Sequence, residues 1–139
     1  QRVWTWHAKT GIFVRMPDRK QLVFVGSTLA DLQRLPAPVQ RVFGYALHVA
    51  QLGGKHPDAK PLKGFGGSGV LEAVEDFDGS TYRVVYTVRL GERVYALHAF
   101  QKKAKRGIAT PKKDLDVIRQ RLAQAKQIHA QWLQGGREE

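Results

Sequence analysis

The sequence contains no cysteine, a single methionine and no long apolar segment. The absence of cysteine excludes disulfides, thiolate zinc sites and cysteine nucleophiles, and it fits a protein of the reducing cytoplasm. A transmembrane helix needs about 18–20 consecutive apolar residues, and no stretch approaches that length. The N-terminal segment also lacks the continuous apolar core of a signal peptide. We therefore expect a cytoplasmic protein that has no membrane partner.

Acidic residues are few compared with basic residues. Lys and Arg total 23 against 12 Asp and Glu, so the chain of 139 residues carries a net charge of +11. The excess positive charges repel one another, which favours a polyanion such as RNA, or an acidic protein, as a partner. A basic surface that is only solvated is the alternative. Hydrophobic residues make up 42% of the chain, which is enough for the core of one domain.

The first part of the chain predicts one short strand and a pair of helices. Leu22–Val25 is a short apolar run that is typical of a buried strand. Two amphipathic helices follow, opened by Thr28 and Pro38, and Gly53-Gly54 ends the second. Residues 1–21 precede this pattern and are expected to be an N-terminal extension or an added leader. The short break between the helices predicts an antiparallel pair that packs on a sheet.

The second part predicts a three-stranded meander and a last helix after a Gly- and Pro-rich loop at residues 55–69. The predicted strands are Val70–Phe77, Tyr82–Arg89 and Arg93–Gln101. Residues 22–134 are therefore expected to form a single α+β domain. In that domain the N-terminal helix pair covers one face of a small antiparallel sheet, the last helix is C-terminal, and the second face of the sheet stays partly open.

Two turn signals, Asp78-Gly79 and Gly91-Glu92, fix the register of the meander. If each pair forms a two-residue turn, Arg83 lies opposite both Val74 and Phe100, and side chains then alternate between faces. The face toward the helix pair holds Leu71, Ala73, Tyr82, Val84, Tyr86, Val88, Tyr95, Leu97 and Ala99. The second face holds Val70, Glu72, Val74, Arg83, Val85, Thr87, Ala96, His98, Phe100 and Lys102. The polar side chains of this second face are therefore expected to converge.

Side chains of these types could cleave RNA without a metal or a cofactor. A base takes the proton of a 2′-hydroxyl, an acid protonates the leaving 5′-oxygen, and cations stabilise the charged transition state. A guanidinium binds phosphate through two N–H groups, a histidine titrates near neutral pH, and an aromatic ring stacks on an unpaired base. The candidate catalytic residues are Arg83, His98, Lys102 and Glu72. The candidate RNA contacts are Phe100, Lys103, Lys105 and Arg106.

Each candidate also has an ordinary structural interpretation. Arg83 could form a cross-strand ion pair with Glu72, and His98 could be a strand histidine with satisfied hydrogen bonds. The basic run from Lys102 to Arg106 could be a solvated strand end. The other four histidines have no ligand-like spacing, which argues against a metal site. The glycines within residues 64–69 are not followed by the Lys-Ser/Thr pair of a phosphate loop.

Several segments resemble one group of bacterial proteins. The segments are VLEAVED at Val70–Asp76, YRVVY at Tyr82–Tyr86, HAFQKK at His98–Lys103 and KRGIATPKKD at Lys105–Asp114. From about Leu22 to Ile128 the chain resembles the RelE/ParE toxin superfamily, and it is most similar to the phage-derived HigB-like branch. The resemblance implies a RelE-like fold and the toxin of a type II toxin–antitoxin system. Such a toxin cleaves messenger RNA on the ribosome without a metal and is neutralised by a cognate antitoxin, often one with a helix-turn-helix.

The resemblance also implies roles for single residues. Arg83 stands where the superfamily has a strand arginine that contacts the scissile phosphate. His98 and Lys102 or Lys103 lie in the strand-end region where members place acids, bases or phosphate-binding residues. Lys63 lies in a loop that holds basic RNA contacts in some members.

One departure leaves the general base open. RelE uses a tyrosine near its C-terminus, whereas no tyrosine follows Tyr95 in this chain. Two alternatives therefore remain for the function. The chain could be a ParE-like inhibitor of DNA gyrase, which would act through its helices and its C-terminal surface without cleaving RNA. It could also be a degenerate phage protein that only binds nucleic acid.

Overall fold

A two-stranded hairpin, a five-stranded sheet and three helices make up the part of the chain that the computed structural model describes. The described residues are 3–7, 11–16, 19–102 and 110–135. The strands are β1 Val3–His7, β2 Ile12–Met16, β3 Gln21–Phe24, β4 Ala59–Pro61, β5 Val70–Phe77, β6 Ser80–Leu90 and β7 Arg93–Lys102. The helices are α1 Thr28–Gln33, α2 Ala37–Gln51 and α3 Lys112–Gln134.

The five-stranded sheet has the order β3-β7-β6-β5-β4. Its strands pair antiparallel from β4 to β7, whereas β3 pairs parallel with β7. A parallel pair needs a long crossover, and here the chain passes through both N-terminal helices and three strands before β7 returns beside β3. The α+β class is confirmed, and the parallel edge strand makes the sheet mixed. The boundary at residue 22 and the role of residues 1–21 stay predictions.

The first core lies between the sheet and the pair α1 and α2. Apolar residues recur along α2 with the 3.6-residue period of a helix, so they form one buried stripe. The buried residues of α2 are Val39, Phe43, Ala46, Leu47 and Ala50. They pack in one cluster with Tyr82, Val84 and Tyr86 of β6. The prediction that these tyrosines face the N-terminal helices is confirmed.

The second core lies on the opposite face, beneath α3. Ile118, Leu122 and Ala125 form the buried stripe of α3 and pack with Val85 of β6 and Leu97 of β7. Such a stripe needs an apolar surface to cover it, and the sheet provides one. Helix α3 therefore covers much of the face that we expected to stay partly open. The candidate residues on that face lie beside or below a helix rather than on an open surface.

The predicted register of the hairpins is confirmed where it positions Arg83. Val74 lies opposite Arg83 in β5–β6, and Arg83 lies opposite Phe100 in β6–β7. The register shifts beyond Val85, where His98 is the partner of Val85 but Ala96 is the partner of Tyr86. One extra residue in β7 makes this a β-bulge.

The bulge overturns part of the predicted division into faces. Tyr95 and Leu97 were expected to face the N-terminal helices, and Ala96 was expected to face away from them. In the structure Tyr95 and Leu97 lie in the second core and Ala96 in the first. The prediction was wrong because a shift of one residue moves the side chains beyond it to the other face. The register of Tyr86 and Thr87 is displaced in this way until a second shift, between Thr87 and Leu90, restores the predicted pairing of Leu90 with Arg93.

Candidate functional site

A buried ion pair connects β5 and β6. Arg83 Nη1 donates to the two carboxylate oxygens of Glu72 at 3.3 and 3.2 Å. Both side chains are only 5% exposed. The pair is the cross-strand interaction that we considered for Arg83, and its burial distinguishes it from a solvated surface pair. Removing one partner of such a pair costs about 3–5 kcal/mol, since the other charge stays buried without compensation.

Arg83 also connects the sheet to the start of the C-terminal helix. Its Nη1 donates to Thr110 Oγ1 at 3.0 Å, just before α3 begins. The carboxylate and the hydroxyl therefore accept hydrogen bonds from the same nitrogen of Arg83. Because these acceptor oxygens fix its orientation, the guanidinium group of Arg83 is preorganised.

A cavity of about 470 Å³ adjoins the Glu72–Arg83 pair. It is lined by Lys60, Pro61, Leu62, Lys63, Glu72, Arg83, Thr110 and Leu115. Ligand sites commonly have volumes of roughly 300–1,000 Å³ and combine apolar walls with a few polar groups. We call this cavity, with its lining residues, the Arg83 cavity. It brings together three of the predicted site residues, namely Glu72, Arg83 and Lys63.

Lys60 is a cation of the Arg83 cavity that the sequence analysis missed. It lies on β4 and is the register partner of Glu72 on β5. The three residues of β4 fall in the segment that we expected to be a loop. The sequence does contain a signal, because Lys60 stands only three positions before the predicted RNA contact Lys63. Without the pairing of β4, that signal could not be placed on the sheet.

His98 lies on the same face of the sheet but points to α3. Its Nε2 is 2.9 Å from Oδ1 of Asp114. Its ring stacks on the ring of Phe100, with centroids 4.4 Å apart and planes inclined by 18°. Both aromatic side chains are buried. The two rings therefore pack on each other, and Phe100 reaches no open surface on which a base could stack in this conformation.

Arg121 approaches His98 from the other side. Its Nη1 lies 3.5 Å from His98 Nδ1 and donates to the Leu97 carbonyl oxygen at 3.0 Å. The same guanidinium group also donates to Thr28 Oγ1 at 3.2 Å and to Ser27 Oγ at 2.9 Å. Arg121 thus connects α3 with β7 and with the start of α1.

Neither Asp114 nor Arg121 was predicted as a partner of His98. They stand seven residues apart on α3, two turns of the helix, and so they lie on the same side as the buried Ile118. This spacing is visible in the sequence. It became informative only once α3 was known to pack on the second face, which we had expected to be partly open.

The surroundings of His98 favour its neutral form. Burial lowers the pKa of His98 below its ordinary value of 6.5. The hydrogen bond and the negative charge of Asp114 raise the pKa, whereas the positive charge of Arg121 lowers it. With Nε2 against a carboxylate and Nδ1 facing a guanidinium, the geometry fits a neutral ring that carries its proton on Nε2. Both ring nitrogens face side chains of α3.

The structure also locates the remaining candidates. Lys102 ends β7 opposite Thr81 and is partly exposed. It stands two residues from Phe100, a separation of about 7 Å along a strand. Lys103, Lys105 and Arg106 lie outside the described residues. The face therefore carries two distinct groups, the Arg83 cavity and the His98–Asp114 pair beneath α3.

Two further kinds of feature are absent from the described residues. No three His, Cys, Asp or Glu side chains in these ranges form a group that could hold a metal ion. No helix in the same ranges has both the length and the apolar composition to cross a membrane.

Comparison with known proteins gives one family match. The model of the family described as phage derived protein Gp49-like (DUF891) matches residues 30–123. The matched segment includes Glu72, Arg83, His98, Asp114 and Arg121. No match was found among curated proteins or among solved structures. Since the match extends over more than half of the chain, the protein belongs to the Gp49-like family of phage-derived proteins, which is associated with RelE-like toxins of toxin–antitoxin systems.

Proposed function

We propose that the chain is the toxin of a type II toxin–antitoxin system of the HigB-like kind. Its activity is metal-independent cleavage of messenger RNA on the ribosome, which inhibits translation. Its partners are the ribosome with its messenger RNA and a cognate helix-turn-helix antitoxin. The observation that carries this proposal is the Arg83 cavity, where a fixed guanidinium group, two lysines and a carboxylate meet beside apolar walls.

The cavity supplies two of the functions that cleavage of RNA requires, cations for the phosphate and a carboxylate as proton acceptor. A phosphate diester in the cavity would be held by the guanidinium of Arg83, with Lys60 and Lys63 adding positive charge. Glu72 is the carboxylate nearest to Arg83, and it becomes a proton acceptor for the 2′-hydroxyl once phosphate oxygens take over its hydrogen bonds. The 2′-oxygen then attacks phosphorus to give a 2′,3′-cyclic phosphate, and the 5′-oxygen leaves with a proton.

The proton for the leaving 5′-oxygen comes from the end of β7 in this proposal. Lys102 lies two residues beyond Phe100, which is the strand partner of Arg83. His98 lies two residues before Phe100, and its Nε2 is hydrogen-bonded to Asp114. Both nitrogens of His98 face α3, so a direct role of His98 needs α3 to move. Lys102 is therefore the first candidate for the general acid, and His98 the second.

The test removes both charges of the ion pair at once. We expect the double variant Glu72→Gln with Arg83→Gln to fold, because no unpaired charge remains buried, but to lose the growth arrest that expression of the wild-type chain causes. The matched control is Lys112→Gln with Asp116→Asn, which removes the exposed ion pair on α3. This control should remain toxic.

Primer extension on cellular messenger RNA distinguishes cleavage from the alternatives. Cuts at codons, present with the wild-type chain and the control but absent with the double variant, are the expected result. Growth arrest with intact messenger RNA and induction of the DNA damage response would instead support a ParE-like gyrase inhibitor. Normal growth under strong expression of the wild-type chain would favour a protein that only binds nucleic acid.

A further inference from the structure

One side of α2 carries large exposed side chains that the first core does not use. Arg41, Tyr45, His48 and Leu52 recur every three or four residues, so they form a row on one side of the helix. Tyr45 is 58% exposed and Leu52 is 47% exposed. We call these four residues the outer row of α2.

The sequence around the outer row is basic and contains no acidic residue. Residues 32–57 contain no Asp or Glu, although an acid in the first turn of α2 would interact favourably with the helix dipole. Arg41 and Lys55 lie in this stretch. Lys20 is held at the C-terminal end of α2, because its N–H donates to the Gln51 carbonyl at 2.9 Å and the Gln51 amide donates to its carbonyl at 2.8 Å. The surface is therefore complementary to an acidic partner.

Gly44 gives a second and independent indication. It lies within α2 next to Tyr45, it is exposed, and a Cβ added there would meet no atom within 4 Å. Neither crowding nor a positive φ requires glycine at this position. Glycine costs a helix about 1 kcal/mol relative to alanine. A glycine that the chain itself does not need lets the backbone of another element approach closely.

We propose that the outer row of α2 binds an acidic amphipathic helix of the antitoxin. The inference rests on the proposed function, since the antitoxin is the partner. The backbone of that helix would lie against Gly44, its apolar residues would contact Tyr45 and Leu52, and its carboxylates would pair with Arg41 and Lys55. Two large apolar side chains and a glycine on one helix face fit a protein helix better than a nucleic acid backbone.

The experiment measures binding of the cognate antitoxin, sought as the product of a small gene adjacent to that of the chain. Binding is measured by isothermal titration with the purified full-length chain. Gly44→Leu blocks the close approach, and Arg41→Glu reverses a charge of the row. We expect each to weaken binding by about tenfold or more, as a rim charge and a blocked contact commonly do. The matched controls are Ala123→Leu and Lys126→Glu, two exposed positions of α3. They should bind like the wild-type chain.

Fold and toxicity are measured on the same variants. Gly44→Leu should raise the melting temperature, because leucine favours the helix and nothing surrounds the position. A loss of binding together with a higher melting temperature cannot be attributed to unfolding. Both α2 variants should arrest growth like the wild-type chain when the partner is absent. Equal binding by the α2 variants and the controls would overturn the inference and leave the proposed function standing.

The inference would also be overturned if a molecule other than the antitoxin binds the outer row of α2. A dimer of the chain alone that Gly44→Leu dissociates would identify a second copy as the occupant. Binding of a uridine oligonucleotide that Arg41→Glu abolishes, while antitoxin binding is unchanged, would identify RNA. If the neighbouring gene product does not bind the wild-type chain, the partner is wrong and the inference fails. The growth and cleavage assays decide the proposed function separately.

Discussion

The two faces of the sheet bury different kinds of side chain. Beneath α2 the first core consists of aliphatic and aromatic residues together with Ala and Tyr from the strands. Beneath α3 the second core has an apolar part of its own, but buried charged and polar side chains surround it. The buried polar residues Glu72, Arg83 and His98 all lie on the α3 side.

This difference indicates which face stabilises the fold and which carries the chemistry. Buried charged pairs are rarely the most stabilising solution, because apolar residues of similar volume often serve as well or better. A chain that retains Glu72 and Arg83 in its sheet therefore accepts a cost on one face. Buried, paired charges beside a cavity are typical of functional sites, and the α3 side has both the pair and the cavity.

The largest expected effect on the α2 face comes from Phe43→Ala. Phe43 is fully buried in the first core, so truncation leaves a cavity and should lower the free energy of unfolding by about 3–5 kcal/mol. Urea denaturation measures the loss. At a temperature where the variant is folded, growth arrest should persist, because the α3 face is unchanged. Loss of toxicity in a variant that is shown to be folded would mean that the two faces are not separate in function.

Arg83→Ala tests the α3 face in the opposite way. We expect a loss of about 3–5 kcal/mol in unfolding free energy, since Glu72 would be left charged and buried. Adding Glu72→Ala should recover part of this loss, whereas toxicity should stay absent in both variants. Urea denaturation of the two single variants and the double variant gives the coupling energy. Additive losses would show that the pair does not interact as its geometry implies.

Much of the division of side chains between the two faces could be predicted from the sequence, but not all of it. The turns at Asp78-Gly79 and Gly91-Glu92 correctly predicted the partners of Arg83, because two-residue turns fix a register. The bulge in β7 could not be predicted, since an extra residue leaves the alternating pattern almost unchanged. Tyr95 and Leu97 were therefore assigned to the wrong face.

The site was predicted in part for a related reason. A contact between residues of neighbouring paired strands, such as that of Glu72 with Arg83, follows from the local register. Contacts between distant segments do not, and Arg83 meets Thr110 while His98 meets Asp114 across 27 and 16 residues of sequence. These contacts could not be predicted because the sequence does not show where α3 packs on the sheet. The short strand β4, which brings Lys60 to the cavity, was missed because three residues have too little pattern to identify.

The pH dependence of stability should distinguish the faces as well. The pKa of His98 is lowered in the folded chain, so the unfolded chain takes up a proton at a higher pH than the folded chain does. The contribution of His98 is then fully present above pH 6.5 and is lost as the pH falls below that value. Urea denaturation between pH 8 and 5 should show a decline that His98→Gln reduces. An unchanged decline in that variant would assign it to other groups.

The smallest expected effect belongs to Tyr86→Phe on the α2 face. The Tyr86 hydroxyl is buried and has no hydrogen-bond partner among the described residues, and burial raises its pKa to about 12. Removing an unsatisfied hydroxyl removes its desolvation cost, so the variant should be as stable as the wild-type chain or more stable by up to about 1 kcal/mol. Toxicity should be unchanged. A clear loss of stability in thermal denaturation would show that the hydroxyl is satisfied in solution, and the α2 face would then be less apolar than its packing indicates.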